Sequence, residues 1–266
     1  MSARIKKRSG TSTVNPIDLT EIAGYVNENI DLFHARRLRC VQQLKLSHLV
    51  NKNPYLFRAK NMTKASELVE ETMAAFLSSS EEKDFGDFLE GLAIFVASKA
   101  LGGRKSASPG IDLELVRDRI HYVISIKSGT NWGNSSQQAK LADDFKKALI
   151  RLRQGRVNAD AVLGICYGKV KTGRNPQHGY LKIVGQNFWT FISGDKDLYR
   201  EIIEPIGYRA KEHNDAYLHE RDALINLLTK QFIDRFCDET GAIDWPKVVE
   251  ANSGNYDLDK QLLELS

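Results

Sequence analysis

Cysteine, methionine and tryptophan are scarce, with three of each in 266 residues. Cys40, Cys166 and Cys237 are too few and too widely spaced for a disulfide framework or a zinc site, so they are expected as small buried hydrophobes. No 18-residue apolar run exists, and the opening MSARIKKRSG has basic residues without an apolar segment behind them. Neither a membrane span nor a signal peptide is indicated, and a cytoplasmic protein without membrane association is expected. Charge of one sign is not in excess either. The net charge of +4 and pI near 8.8 permit nucleic-acid binding without the strongly basic footprint of a pure binding domain. Nucleotide hydrolysis lacks its motif, because GICYGK at Gly164 to Lys169 is one residue short of a phosphate-binding loop and no Ser or Thr follows. There is no HExxH, no G-x-S-x-G elbow, no internal repeat and no low-complexity tract.

What is present is a hydrophobic content of 42%, enough for one good core. Its centre is the stretch GIDLELVRDRIHYVISIKSG, Gly110 to Gly129. Ile111 to Val116 alternates, Arg117-Asp118-Arg119 breaks the pattern, and His121 to Ile126 resumes it, which predicts a hairpin. Strand alternation puts Asp112, Glu114 and Val116 on the face of Val123, Ser125 and Lys127. Ile111, Leu113, Leu115, Tyr122, Ile124 and Ile126 make an apolar layer on the other. Charge beside such a layer is costly unless it is paired or bound to a metal, so Asp112 and Lys127 make either a salt bridge or a metal-dependent phosphodiesterase site.

Asp112 followed by Ser125-Ile126-Lys127 resembles the PD-(D/E)xK nuclease superfamily. The runs NPYLFRAKN, FGDFLEGLAIF and SIKSGTNWGNSSQ are similar to type II restriction endonucleases grouped with PmeII. The resemblance implies a mixed α/β restriction-endonuclease-like core (helix, mixed central sheet, helix, strand) with helical additions at both ends. It also implies hydrolysis of double-stranded DNA with Mg2+, or Mn2+ as a substitute, by Asp112, Lys127, Glu90 and Ser125. Metal ligands would be Asp112, Glu90 and the Ile126 carbonyl, which suits a cation that prefers hard oxygens and retains waters. Ser125 stands where an acid is usual, so a ligand must come from elsewhere. Glu90 falls where the preceding helix often supplies one; Asp84 and Asp87 compete with it, and Glu114, on the strand face of Asp112, is a further candidate. Ser125 could hold a metal-bound water. A homodimer on a palindromic site and a cognate DNA methyltransferase are implied as partners. A repair or recombination nuclease of the same fold and a catalytically inactive DNA-binding module are the alternatives.

Around the hairpin the chain falls into a helical region 1–79, a core 80–195 and a helical region 196–266, expected as one compact unit. The basic arm with Arg4, Lys6, Lys7 and Arg8 could touch phosphates or be a solvated tail. One helix is predicted over Lys64 to Leu77, ending in Ser78-Ser79-Ser80, and another from the cap at Ser80-Glu81-Glu82 through Val96. The glycine-rich loop before the hairpin offers Arg104 and Lys105 to phosphates. After Lys127, Asn131, Trp132, Asn134, Ser135 and Gln137 form a loop and a helix start whose free N–H groups suit a phosphate. Trp132 either stacks on DNA or anchors the loop in the core. ADAVLGICY reads as a buried strand. Lys169, Lys171, Arg174, Asn175, Gln177 and His178 form the expected base-reading loop, since these side chains read major-groove edges; an ordinary basic surface loop is the alternative.

Overall fold

The computed structural model describes residues 15–254 and 257–265. The basic arm carrying Arg4, Lys6, Lys7 and Arg8 lies outside them. The chain runs through α1 (Leu19–Gln43), α2 (Leu46–Val50), α3 (Pro54–Ala59) and α4 (Ala65–Leu101) to β1 (Arg104–Lys105), β2 (Leu113–Arg117) and β3 (Ile120–Lys127). Then come α5 (Ser135–Gln154), β4 (Ala159–Ile165), β5 (Gly173–Arg174), β6 (Leu181–Val184) and α6 (Gln186–Ser193). The last helices are α7 (Leu198–Glu201), α8 (Ile203–Ile206), α9 (Ala210–Phe236), α10 (Trp245–Ser253) and α11 (Leu258–Glu264). The strands make one six-stranded sheet in the order β1-β2-β3-β4-β6-β5. Strands β3, β4 and β6 run parallel, while β1, β2 and β5 pair antiparallel with their neighbours. Helix α4, hairpin β2–β3, helix α5 and strand β4 thus follow the order of a restriction-endonuclease-like core.

The hairpin turns on Asp118 and Arg119, whose φ values of 50° and 64° are both left-handed. Positive φ at both central residues marks a primed turn, which follows the natural twist of the strands. Leu113 faces Ile124 and Glu114 faces Val123. On one side of the sheet Leu113, Leu115, Ile124 and Ile126 pack with Leu89, Leu92 and Val96 of α4. On the other, Val123, Ala161, Leu163 and Ile165 pack with Leu141, Phe145 and Ala148 of α5. Strands buried on both faces are what parallel sheets require. Ile111 departs from the expected layer and joins the α5 side. It precedes the paired part of β2, in a turn where its N–H donates to the Ser108 carbonyl, so strand alternation does not reach it.

Helix α4 is also longer than expected, running unbroken for 37 residues through Ser78-Ser79-Ser80. Ser79 Oγ donates to the Ala75 carbonyl at 3.0 Å, turning its competing hydroxyl back onto the helix instead of capping a new one. Helicity after Asp195 is interrupted before α9, where Arg209 sits at φ 51°.

Contacts divide the chain into two units, and the three-part division 1–79, 80–195 and 196–266 is not the one seen in space. One unit combines residues 15–33 with Phe85–Tyr208; the other combines His34–Asp84 with the described residues from Arg209 onward. The first holds the sheet and the two cores just described. The second is helical around Val41, Leu49, Val69, Met73, Leu228 and Phe232. Its two segments are tied by bonds such as Asn252 Nδ2 to the Val50 carbonyl at 2.9 Å. Among the described residues no helix is long and apolar enough to cross a membrane. All three cysteines are free, Cys166 buried and the other two half-buried.

Candidate active site

Asp112 sits just before β2, opposite Ser125. Its backbone N–H donates to the Ile124 carbonyl at 2.9 Å, extending the ladder past the strand. Its Oδ2 accepts the Ile126 N–H at 2.6 Å and the Ser125 hydroxyl at 3.1 Å. Ser125 is buried, and its hydroxyl donates to the Asp112 carboxylate. In a strand the N–H and carbonyl of one residue point to the same neighbour. The Lys127 carbonyl accepts from Cys166 N–H on the β4 side. The Ile126 carbonyl therefore points the other way, toward Asp112.

Lys127 ends β3, at the carboxyl end of the parallel strands, where ligands of open α/β sheets bind. The pairing continues one step beyond, with Tyr167 N–H on the Ser128 carbonyl at 2.9 Å. A Cβ on Gly129 would fall 2.8 Å from the exposed Tyr167 ring, so a larger residue here would have to displace that side chain. Lys127 is half-buried and forms no ion pair among the described residues; its Nζ stands 5.9 Å from the Trp132 ring centre. Trp132 packs against the α5-side core, which makes it the anchor of its loop.

Glu90, half-buried on α4, is the acid that shares this electrostatic neighbourhood. Burial pushes its carboxyl above the usual range, the Asp112 charge pushes it further, Lys105 and Lys127 pull it back, and Asp87 adds a small upward push. Asp84 is instead ion-paired with Arg36 at 4.0 Å. Among the described residues no three His, Cys, Asp or Glu side chains gather as metal ligands. The oxygens this corner offers are two carboxylates and a backbone carbonyl.

Glu114 is drawn elsewhere. It is buried, and its Oε1 accepts the Ser106 hydroxyl at 2.7 Å. His121 Nε2 lies 3.0 Å and Arg104 Nη2 3.4 Å from Oε2, while Arg151 Nη2 stands 3.6 Å from Oε1. Although burial alone would raise its pKa, hydrogen bonds from Ser106, His121 and Arg104 hold the carboxyl below the usual range. Ser106, His121 and Arg151 were not singled out as site residues from sequence. Only His121 carried a usable signal, being diagonal to Glu114 on the same hairpin face.

The expected DNA contacts separate into engaged and open side chains. Asn134 caps α5: its Oδ1 accepts the Gln137 N–H and its own N–H donates to Gln137 Oε1, both at 3.0 Å. Arg174 pairs with Asp160 at 2.6 Å and also donates to the Gly179 carbonyl. Asn175 accepts the N–H groups of Gln177 and His178 at 2.9 Å, shaping its own turn. His178 stacks on Tyr180. The 174–178 turn therefore belongs to the start of β4, near Asp160, which lies about 16 Å from Ile165 at about 3.3 Å per residue. Ile165 is the partner of Lys127. Lys169 and Lys171, leaving the near end of β4, are exposed and without ion pairs among the described residues, and Lys105, Asn131, Ser135 and Gln177 are exposed as well.

Residues 20–214 match the family model of Type II restriction endonuclease EcoO109I, a span that includes the whole of this site. No curated protein matches the chain.

Proposed function

Because the chain belongs to the EcoO109I family of type II restriction endonucleases, we propose that it hydrolyses phosphodiester bonds of double-stranded DNA at a specific sequence, with Mg2+, at Asp112 and Lys127. The observation that carries this reading is the pinning of Asp112 onto the Ile126 backbone, one residue before Lys127.

A divalent cation fits these residues. Asp112 spends Oδ2 on Ser125 and Ile126, leaving Oδ1 for a cation. Asp112 and Glu90 repel one another in a half-buried setting, a cost that a bound cation would remove. Two carboxylates and the Ile126 carbonyl are hard ligands, and Mg2+ characteristically keeps waters in its remaining positions; Mn2+ would substitute. When bound, the ion polarises the scissile phosphate and offsets charge on the leaving oxygen.

The chain's own groups do the rest. Lys127 Nζ, a point charge on a flexible stem, orients the attacking water and donates to a non-bridging phosphate oxygen as negative charge grows there. Ser125 holds Asp112 in place through its hydroxyl. Trp132 fixes the loop that follows Lys127, and Lys105, Lys169 and Lys171 supply positive charge for the DNA backbone.

A homodimer would match the twofold symmetry of a palindromic site, and a methyltransferase of the same specificity would protect the cell's own DNA in the cytoplasm. The finer grouping with PmeII-type enzymes rests on the three sequence runs quoted above. Incubating the protein with long DNA of known sequence, with Mg2+ or a chelator, tests the reading against Asp112→Ala. Discrete metal-dependent fragments lost in the variant are expected. A smear, or fragments that persist in the variant, would reject site-specific cleavage at Asp112.

A further inference from the structure

The buried Glu114 lies on the strand that Asp112 leads into, yet its carboxylate is turned toward other partners. A buried acid is tolerated only when its charge is met, and here partners arrive from three separate elements: Arg104 from β1, His121 from β3 and Arg151 from α5. The remaining partner is Ser106, which belongs to no strand or helix.

Ser106 is a junction. Its hydroxyl donates to Glu114 Oε1 at 2.7 Å and accepts the Ser108 N–H at 3.0 Å. Its backbone N–H donates to the Asp112 carbonyl at 3.2 Å. The loop between them is closed again at Ser108, whose carbonyl accepts the Ile111 N–H at 3.2 Å. At its tip Gly110, at φ +73°, comes so close to Asp144 of α5 that a Cβ would overlap the carboxylate. The segment delivering Asp112 is thus fixed at its tip against α5 and at its base through Ser106.

We infer that Glu114 is a positioning residue for the metal site, acting through Ser106 to hold the 106–112 loop and so the backbone of Asp112. This rests on the reading of Asp112 as a metal ligand given above. It replaces the idea that Glu114 itself binds the ion: the carboxylate faces a hydroxyl, two guanidinium groups and an imidazole, surroundings that suit an anion and not a cation's ligand.

Partners bonded directly to a ligating carboxylate set metal affinity by about ten- to a hundredfold, so a support that reaches Asp112 through its backbone should act at the lower end of that range. The test is Mn2+ binding to the full chain followed by electron paramagnetic resonance, for the wild type and for Asp112→Ala, Ser106→Ala, Ser106→Thr and Glu114→Gln, with melting temperatures alongside. Asp112→Ala should abolish the site. Ser106→Ala should weaken Mn2+ about tenfold and lower the melting temperature only modestly, since the guanidinium and imidazole partners of Glu114 remain, and Ser106→Thr, which keeps the hydroxyl, should restore both. Glu114→Gln, whose amide oxygen still accepts the Ser106 hydroxyl, is the control: losing the charge should lower the melting temperature, but Mn2+ affinity should stay near wild type because the bond to Ser106 is kept. If Asp112→Ala weakens Mn2+ but Ser106→Ala binds like wild type, the positioning role is rejected and the Asp112 site stands. If Ser106→Ala loses thermal stability without losing affinity, the contact is structural and the inference is rejected. If wild type and Asp112→Ala bind alike, the Asp112 site itself is wrong and the inference falls with it.

Discussion

Asp112 Oδ2 and the backbone nitrogen of Ile126 are 2.6 Å apart, so one carboxylate oxygen grips the strand that ends in Lys127. On the proposed reading Asp112 has two separable tasks: it braces the N–H of the buried Ile126 and offers its other oxygen to a cation. A substitution that keeps the first and removes the second should separate stability from activity.

Asp112→Asn retains an acceptor for the Ile126 N–H, so its melting temperature should stay near wild type while metal-dependent cleavage is lost. Asp112→Ala strands that N–H and the buried Ser125 hydroxyl, at a cost of about 1–3 kcal/mol. Paired melting curves and cleavage assays check this. An Asn variant that melts as low as the Ala variant would show that the hydrogen bond contributes nothing.

Glu90 gives a pH dependence with an unusual sign. Its folded-state pKa is raised, by burial first and by Asp112 second. Such a group adds stability below its unfolded pKa and loses that contribution as pH rises through the folded value. The contribution is lost once the carboxyl ionises, because burial first and the Asp112 charge second oppose the ionised form when no cation is bound. Glu90→Gln should thus melt higher than wild type near pH 8 in chelator. The difference should vanish near pH 4, below the ordinary glutamate value of about 4.3. The same variant should lose metal-dependent cleavage, a trade of function for stability that sites commonly show. A Gln variant less stable than wild type near pH 8 would remove Glu90 from the neighbourhood of Asp112.

Lys127 stands apart from ion pairs among the described residues, and its contact with Trp132 at 5.9 Å is worth about 0.5–1 kcal/mol at most. Lys127→Ala should leave the fold and DNA binding nearly intact and slow single-turnover cleavage by about 10²- to 10⁴-fold. Lys127→Arg should rescue little, because a planar fork does not replace a compact ammonium. Wild-type cleavage by Lys127→Ala would remove this residue from the chemistry.

The hairpin was legible because its signals are local: alternation in LELV and IHYVIS, with the turn at Asp118-Arg119 between them. Asp112, Ser125 and Lys127 follow from register alone, since the same parity puts them on one face. The unbroken α4 was not legible. Three serines mimic a cap unless their hydroxyls bond back to the helix, as Ser79 does to Ala75. The pairing of His34–Asp84 with the chain after Arg209 depends on contacts such as Asn252 to Val50, far beyond any local pattern. The partners of Glu114 were not legible for a related reason. Its strand face was correctly assigned, but Ser106 and Arg151 reach it from a loop and a helix that no hairpin pattern describes.

The basic loop after β4 divides into two parts with opposite expected behaviour. Burial would raise the Asp160 carboxyl, but the Arg174 hydrogen bond and the Ala161 N–H outweigh it and hold the group below the usual carboxylate range. A depressed folded pKa gives stability that is present above the unfolded value and is lost as pH falls through the folded one. Arg174→Ala should therefore lower the melting temperature in neutral solution, by an amount set by about 0.2–1 kcal/mol for a largely exposed pair, and the loss should shrink in acid. Because this pair sits toward the start of β4, away from Lys127, the variant should keep both its cleavage pattern and the salt dependence of DNA binding. Lys169 and Lys171 leave the other end of the strand with exposed ammonium groups. If each meets a phosphate, Lys169→Ala and Lys171→Ala should each reduce the slope of log K against log salt by about 0.9, with little effect on the sequence cut. Measured slopes for the three variants decide the matter: a changed cutting pattern in Arg174→Ala, with both lysine slopes unchanged, would put the DNA at the far end of β4 and reverse this assignment.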